Sequence, residues 1–286
     1  MFTWSGNERG LIRLVAALCY SVLACALSAC QQGTEGGTAN VAAPSATAAA
    51  SAEGSNIMAR SRATEDVSDS TLKVRARVRE PDGTTREIRM TVYRKRESDG
   101  RRLMFLEITS PKEERDRSGL VSFTAAGDLE ATRYLQSNDS FVTTTSAVSE
   151  DSLFGLSLQE LADGQPEKYE QRLIGETTVG DSTVYRIEGR LKQGAESKFT
   201  RVVTFVSKEN LTVVGTEYYD NHDQLTRRLT VERIEKVDGR WTRMRWTIDN
   251  RSRGKRIEFE TTGIKYENNL PASIFSREHL KKSASR

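Results

Sequence analysis

Thiols are the first candidates for covalent chemistry in this chain. All three, Cys19, Cys25 and Cys30, lie within its first thirty residues. Cys30 follows Leu27-Ser28-Ala29. Small residues before it leave the peptide bond open to a peptidase, and the thiol can carry a diacylglyceryl thioether. The remainder of the chain has no cysteine, which excludes a structural disulfide or a cysteine metal site there. The two histidines, His222 and His279, stand apart from any carboxylate set at metal-ligand spacing. Asp220-Asn221-His222-Asp223 reads as a turn and lacks the spaced ligands and terminal Glu of a calcium loop. No G-x-S-x-G elbow, P-loop or H-E-x-x-H occurs. Ser118 and Ser140 read as ordinary loop residues. Glu258 and Glu260 share one strand face, opposite Ile257 and Phe259, and are expected to pair with arginines across strands. The expectation is a protein without catalytic residues, metal or cofactor, and therefore not an enzyme.

The segment carrying Cys30 fits a processing signal. Arg9 and Arg13 form a short positive region, and the chain is then almost wholly apolar to Ala29. That run is too short to span a bilayer, which takes about 20 apolar residues, and has the dimensions of a signal-peptide core. Leu27-Ser28-Ala29-Cys30 resembles the bacterial lipobox. Residues 1–29 are thus expected to be removed, and Cys30 to become a lipidated N-terminus on a membrane. In lipoproteins of this kind Asp after the cysteine favours the inner membrane, so Gln31 implies the outer one.

Residues 30–55 are Gly, Ala, Ser and Thr with little else, a composition expected to form a flexible tether. Such a tether would reach about 25–30 Å. Residues 56–286 form the expected domain. With 43 Lys and Arg against 40 Asp and Glu, and no dense basic tract, nucleic-acid binding is not expected.

Within that domain apolar and polar residues alternate. Leu72, Val74, Ala76 and Val78 interleave with basic residues, Pro81-Asp82-Gly83 turns, and Ile88, Met90 and Val92 continue the alternation. This is a hairpin with one buried face. Further strands are expected at 103–108, 121–125, 183–190, 199–207, 213–219, 225–236, 241–250 and 256–266, with weaker ones at 130–135 and 141–145. The fold class is mainly β (α+β): a large curled antiparallel sheet, a half-barrel of roughly ten or eleven strands. Short helices, expected over 56–65, 152–163 and 276–282, would close an apolar concavity. A sheet this large has one apolar face to cover, and incomplete cover leaves either a cavity suited to acyl chains or a fully packed core.

Several phrases in order carry a resemblance. They are Ser110-Pro111-Lys112, Arg117-Ser118-Gly119-Leu120, the apolar segment Ser152-Leu153-Phe154-Gly155-Leu156-Ser157-Leu158-Gln159-Glu160-Leu161, Gly175-Glu176 with Val184-Tyr185-Arg186-Ile187-Glu188, Val237-Asp238-Gly239-Arg240-Trp241, and Asn269-Leu270-Pro271-Ala272-Ser273-Ile274-Phe275. In this order they resemble the LolA-like outer-membrane lipoprotein-sorting family from about Asn56 to Phe275. The resemblance implies non-covalent binding of lipoprotein or lipid acyl chains in the periplasm, with a transporter or a periplasmic carrier as partner. Expected contacts are Leu153, Phe154, Leu156 and Leu158 on the lid, and Met90, Val92, Met104, Leu106, Phe205, Tyr219 and Trp246 on strands; a slip of one residue would turn each strand's set outward. Two departures stand out. Tyr134-Leu135-Gln136-Ser137-Asn138-Asp139-Ser140 is polar where the family is basic, and Cys30 would tether what should be a shuttle. An anchored acceptor or relay fits better than a free carrier. The alternative is a periplasmic sensor or envelope scaffold with a packed core and protein partners.

Overall fold

The structure is a computed structural model that describes residues 45–124, 128–145 and 166–285. The signal segment, Cys30 and the lid residues Leu153, Phe154, Leu156 and Leu158 lie outside the described residues.

The alternating pattern becomes strands with alternating burial. In β1 (Asp69–Arg79) Val74, Ala76 and Val78 are buried, and in β2 (Thr85–Arg96) Ile88, Met90 and Val92 are. Between them Gly83 has a φ of 87°, and Asp82 Oδ1 accepts a hydrogen bond from Thr84 N at 2.9 Å. Such a φ is unstrained only in glycine. The chain continues through β3 (Arg102–Ser110), β4 (Gly119–Phe123), β5 (Leu129–Leu135) and β6 (Ser140–Thr144). From residue 169 onward come β7 (Tyr169–Val179), β8 (Ser182–Leu191), β9 (Arg201–Ser207), β10 (Val213–Tyr219), β11 (Leu225–Val237), β12 (Arg240–Asn250) and β13 (Lys255–Tyr266).

All thirteen strands join one antiparallel sheet in the order β6-β5-β4-β3-β2-β1-β13-β12-β11-β10-β9-β8-β7. The first and last strands pair at the centre, Ala76 opposite Phe259 and Val78 opposite Ile257. The two free edges, β6 and β7, are therefore neighbours in sequence, joined through residues 145–168. The sheet is curled and unclosed, a half-barrel. β7 escaped the sequence reading because Glu170, Gln171, Arg172 and Glu176 break the apolar alternation; as an edge strand it needs little of one.

The outer face is held by charge. Glu260 accepts a hydrogen bond from Arg75 and faces Arg245 at 3.6 Å, and Glu258 meets Arg256 at 3.3 Å. This is the solvated carboxylate face expected for Glu258 and Glu260. Ser118 is fully buried, and its Oγ accepts a hydrogen bond from Ile108 N at 3.0 Å. His222 N donates to Asp220 Oδ1 at 2.9 Å within its turn.

The first helix corrects the expected boundary between tether and domain. α1 (Ala46–Glu65) begins ten residues before Asn56, capped by Ser45, whose side chain accepts from Ala48 N at 3.2 Å. Residues 46–55, expected as tether, are thus helical. The physical reason is twofold. Alanine is the best helix former. The buried stripe is Gly54, Ile57, Met58 and Ser61, at i, i+3, i+4 and i+7, and two of its members are too small to register as apolar.

The second helix, α2 (Arg277–Ala284), forms where the tail was expected to turn; Ser276 caps it by accepting from His279 N at 3.1 Å. It packs on the outer face, where Leu280 and Ala284 cluster with Phe105 and Tyr134. The polar segment after Tyr134 serves this contact: Tyr134 donates to Asp139 at 2.7 Å, and Lys281 pairs with Asp139 at 2.5 Å.

Candidate functional site

The inner face carries a large apolar cluster built from β1 to β5 and β9 to β13, including Val74, Met90, Leu106, Ile248 and Phe259. Above it lies a cavity of about 410 Å³. This size falls within the range of small-molecule sites. Successive inward positions of β2 and β3 supply Met90, Val92, Met104 and Leu106, while β12 and β13 supply Trp246, Ile248 and Phe259. Trp246 stacks on Phe259 with centroids 5.1 Å apart and planes at 9°. α1 contributes Met58 and Ser61 as a wall. At the far side stand Tyr169, Val202 and Tyr218. Burial raises the Tyr169 phenol above its ordinary pKa, with the Ser197 hydroxyl opposing the shift. The phenol donates to Phe199 O at 3.0 Å, so it is a satisfied structural group.

Five of the expected strand contacts, Met90, Val92, Met104, Leu106 and Trp246, line this cavity together. Phe205 and Tyr219 do not. They are one residue out of phase with Thr204 and Tyr218, which do line it. A bulge between Val213 and Gly215 shifts the pairing of β10 with β9, and Phe205 pairs with Gly215 on the outer face. Tyr219 lies there too, its ring under the Arg201 guanidinium at 3.6 Å and its hydroxyl donating to Glu217 at 2.7 Å. Amphipathic rings of this kind are stable on a charged surface without burial.

Sequence reasoning missed the character of the mouth. Arg62, Arg94, Lys95, Arg96, Arg102, Arg240 and Arg243 all line the cavity, against only Glu65 and Asp66. They come from α1 and from the ends of β2, β3 and β12, which the antiparallel order brings to one end of the sheet. Among the described residues no group of three or more His, Cys, Asp or Glu could hold a metal ion. Among them, too, no helix is long and apolar enough to cross a membrane. The arrangement suits an apolar chain with a polar end.

A family model described as "Uncharacterized protein" matches residues 100–282. No curated protein matches the chain in sequence. Among solved structures, a DUF1329 family protein from Desulfovibrio piger is similar at 21% identity and a TM-score of 0.75, over 81% of this chain and 99% of its own. An outer membrane lipoprotein-sorting protein domain from Vibrio parahaemolyticus aligns at 17% identity and a TM-score of 0.74, again over 81% and 99%. A LolA superfamily protein from Nitrosomonas europaea follows at 16% identity and 0.62, over 79% and 99%. At these identities the likeness is one of fold.

Proposed function

This chain belongs to the family described as "Uncharacterized protein" and has a LolA-like fold, and from that premise we propose that it binds acyl chains of a lipid or lipoprotein non-covalently, as an anchored acceptor or relay in the periplasm. The observation that carries the reading is the cavity of about 410 Å³, floored by Met90, Val92, Met104, Leu106 and Trp246. Burying a methylene contributes about 0.8 kcal/mol. Some ten buried methylenes would then supply about 8 kcal/mol, a micromolar affinity before the cost of ordering the chain is subtracted. Binding by burial needs no catalytic group, so the reading is non-enzymatic.

The anchor is a second part of the same proposal. Lipid on Cys30 and the short linker before Ala46 would keep the domain near one membrane, which suits receiving or passing on cargo better than shuttling it. Labelling cells with a radioactive fatty acid tests this: label is expected in the protein and absent from Cys30→Ser. The binding itself is tested by titrating the purified protein with a fluorescent fatty acid. Saturable uptake near one equivalent is expected; no uptake would sink the reading.

A further inference from the structure

The mouth of the cavity holds more positive charge than the fold uses. Arg96 pairs with Asp66 at 2.6 Å. Arg240 pairs with Glu267 at 2.6 Å and donates to Asp66 O at 3.2 Å. Arg243 faces Glu65 at 3.8 Å, and Arg102 meets Glu167 at 3.3 Å. Lys95 donates to Leu270 O at 3.1 Å and faces Glu97 at 3.8 Å. These five hold the end of α1 and the neighbouring hairpins in place. Arg62 and Arg94 remain; both are exposed, both line the cavity, and neither has an ion pair among the described residues. Arg94 sits between Ser70 on β1 and Met104 on β3, directly above the apolar lining. Arg62 lies on α1, one turn before Glu65, next to the cavity residue Ser61.

Arg62 lies in the last turn of α1, where a cation gains a little from the helix dipole, but among the described residues neither guanidinium has a carboxylate partner beside the apolar cavity. A guanidinium matches phosphate and carboxylate geometry and binds either with paired hydrogen bonds. Building on the acyl-binding reading, we propose that the cargo is an anionic lipid whose head-group phosphate or carboxylate is held by Arg62 and Arg94 while its chains fill the cavity. The choice matters because a diacylglyceryl thioether on cysteine carries no phosphate. The mouth therefore favours a phospholipid-like cargo over the lipidated end of a lipoprotein.

The test uses the purified full chain, freed of lipid, and two short-chain phospholipids with identical brominated acyl chains. One is phosphatidylglycerol, with a net negative head; the other is phosphatidylcholine, with a neutral one. Bromine in the cavity quenches Trp241 and Trp246, which both line it, and reports binding. Phosphatidylglycerol is expected to bind about tenfold more tightly at low salt, a gap that shrinks as salt screens the charges. Arg62→Ala/Arg94→Ala, shown by thermal unfolding to be folded, is expected to bring the two affinities together. Equal affinities in the unaltered protein would overturn this inference and leave acyl binding standing. Absence of quenching by either lipid would overturn both. Glycerol phosphate alone competing as well as the whole lipid would identify a free-phosphate site and overturn the lipid assignment.

Discussion

Gly54→Ala gives opposite signs depending on whether α1 is a helix alone or a helix pressed against β7. Alanine in place of glycine inside a helix stabilises by about 0.8–1.0 kcal/mol through propensity. In the structure, a Cβ at position 54 would stand 2.6 Å from Leu173 N, 2.7 Å from Arg172 C and 2.8 Å from Arg172 Cα. All three are backbone atoms of β7, which is hydrogen-bonded to β8 and cannot rotate away as a side chain could. Reaching ordinary contact at 3.4 Å requires α1 to move by about 0.8 Å. That shift loosens Ile57 and Met58, which pack against Ile187 and Val206. Overpacking of this kind costs about 1–3 kcal/mol, more than the propensity gain. Thermal unfolding should fall by about 2–4 °C per kcal/mol lost, for a domain of this size. Because α1 also walls the cavity, affinity for a fluorescent fatty acid should change alongside. A Gly54→Ala protein that melts higher than the parent would refute the contact and the boundary drawn for α1.

Two further perturbations test the floor of the cavity and the outer face. Trp246→Ala removes a half-buried indole stacked on Phe259; losing on the order of 50–60 Å² of apolar contact should weaken fatty-acid binding about tenfold. Unchanged affinity in that titration would place the acyl chain elsewhere. On the outer face, burial raises the Glu188 carboxyl, but hydrogen bonds from Arg190 and Arg172 outweigh it and hold the group below its ordinary value. Glu80 is lowered likewise, chiefly by Lys255, and Glu260 by Arg75. A carboxylate depressed in the folded state stabilises above its unfolded pKa of about 4.3, and that contribution is lost as pH falls through the folded value. The melting temperature should therefore drop between about pH 5 and pH 3. Glu188→Gln should start lower at neutral pH and fall less steeply on acidification; an equally steep fall would remove Glu188 from the account.

Much of the fold was legible because the sheet writes its inner face at every second residue. Val74, Ala76 and Val78, then Ile88, Met90 and Val92, are interrupted only by charged or polar residues, so their pairing and their place on the inner face follow from period two. Three features were not legible, each for a physical reason. The start of α1 was hidden because its contact face uses Gly54 and Ser61, whose value lies in being small rather than apolar. Phe205 and Tyr219 were assigned inward because they are large and aromatic, whereas plain alternation with Val202 puts Thr204 at the cavity on β9, and the bulge between Val213 and Gly215 puts Tyr218 there on β10. The basic mouth was hidden because Arg62, Arg94, Arg102 and Arg240 are far apart in the chain and converge only once β1 pairs with β13 and the hairpin ends align. Even charge balance over the whole sequence conceals local imbalance at one rim.

The central claim, an inner face that buries acyl chains, is tested most directly by mass spectrometry of the protein purified gently from its native cells. A co-purifying lipid near one equivalent is expected, released on denaturation and reduced in Trp246→Ala. A protein recovered without lipid, whose cavity also stays empty when lipid is offered, would contradict it.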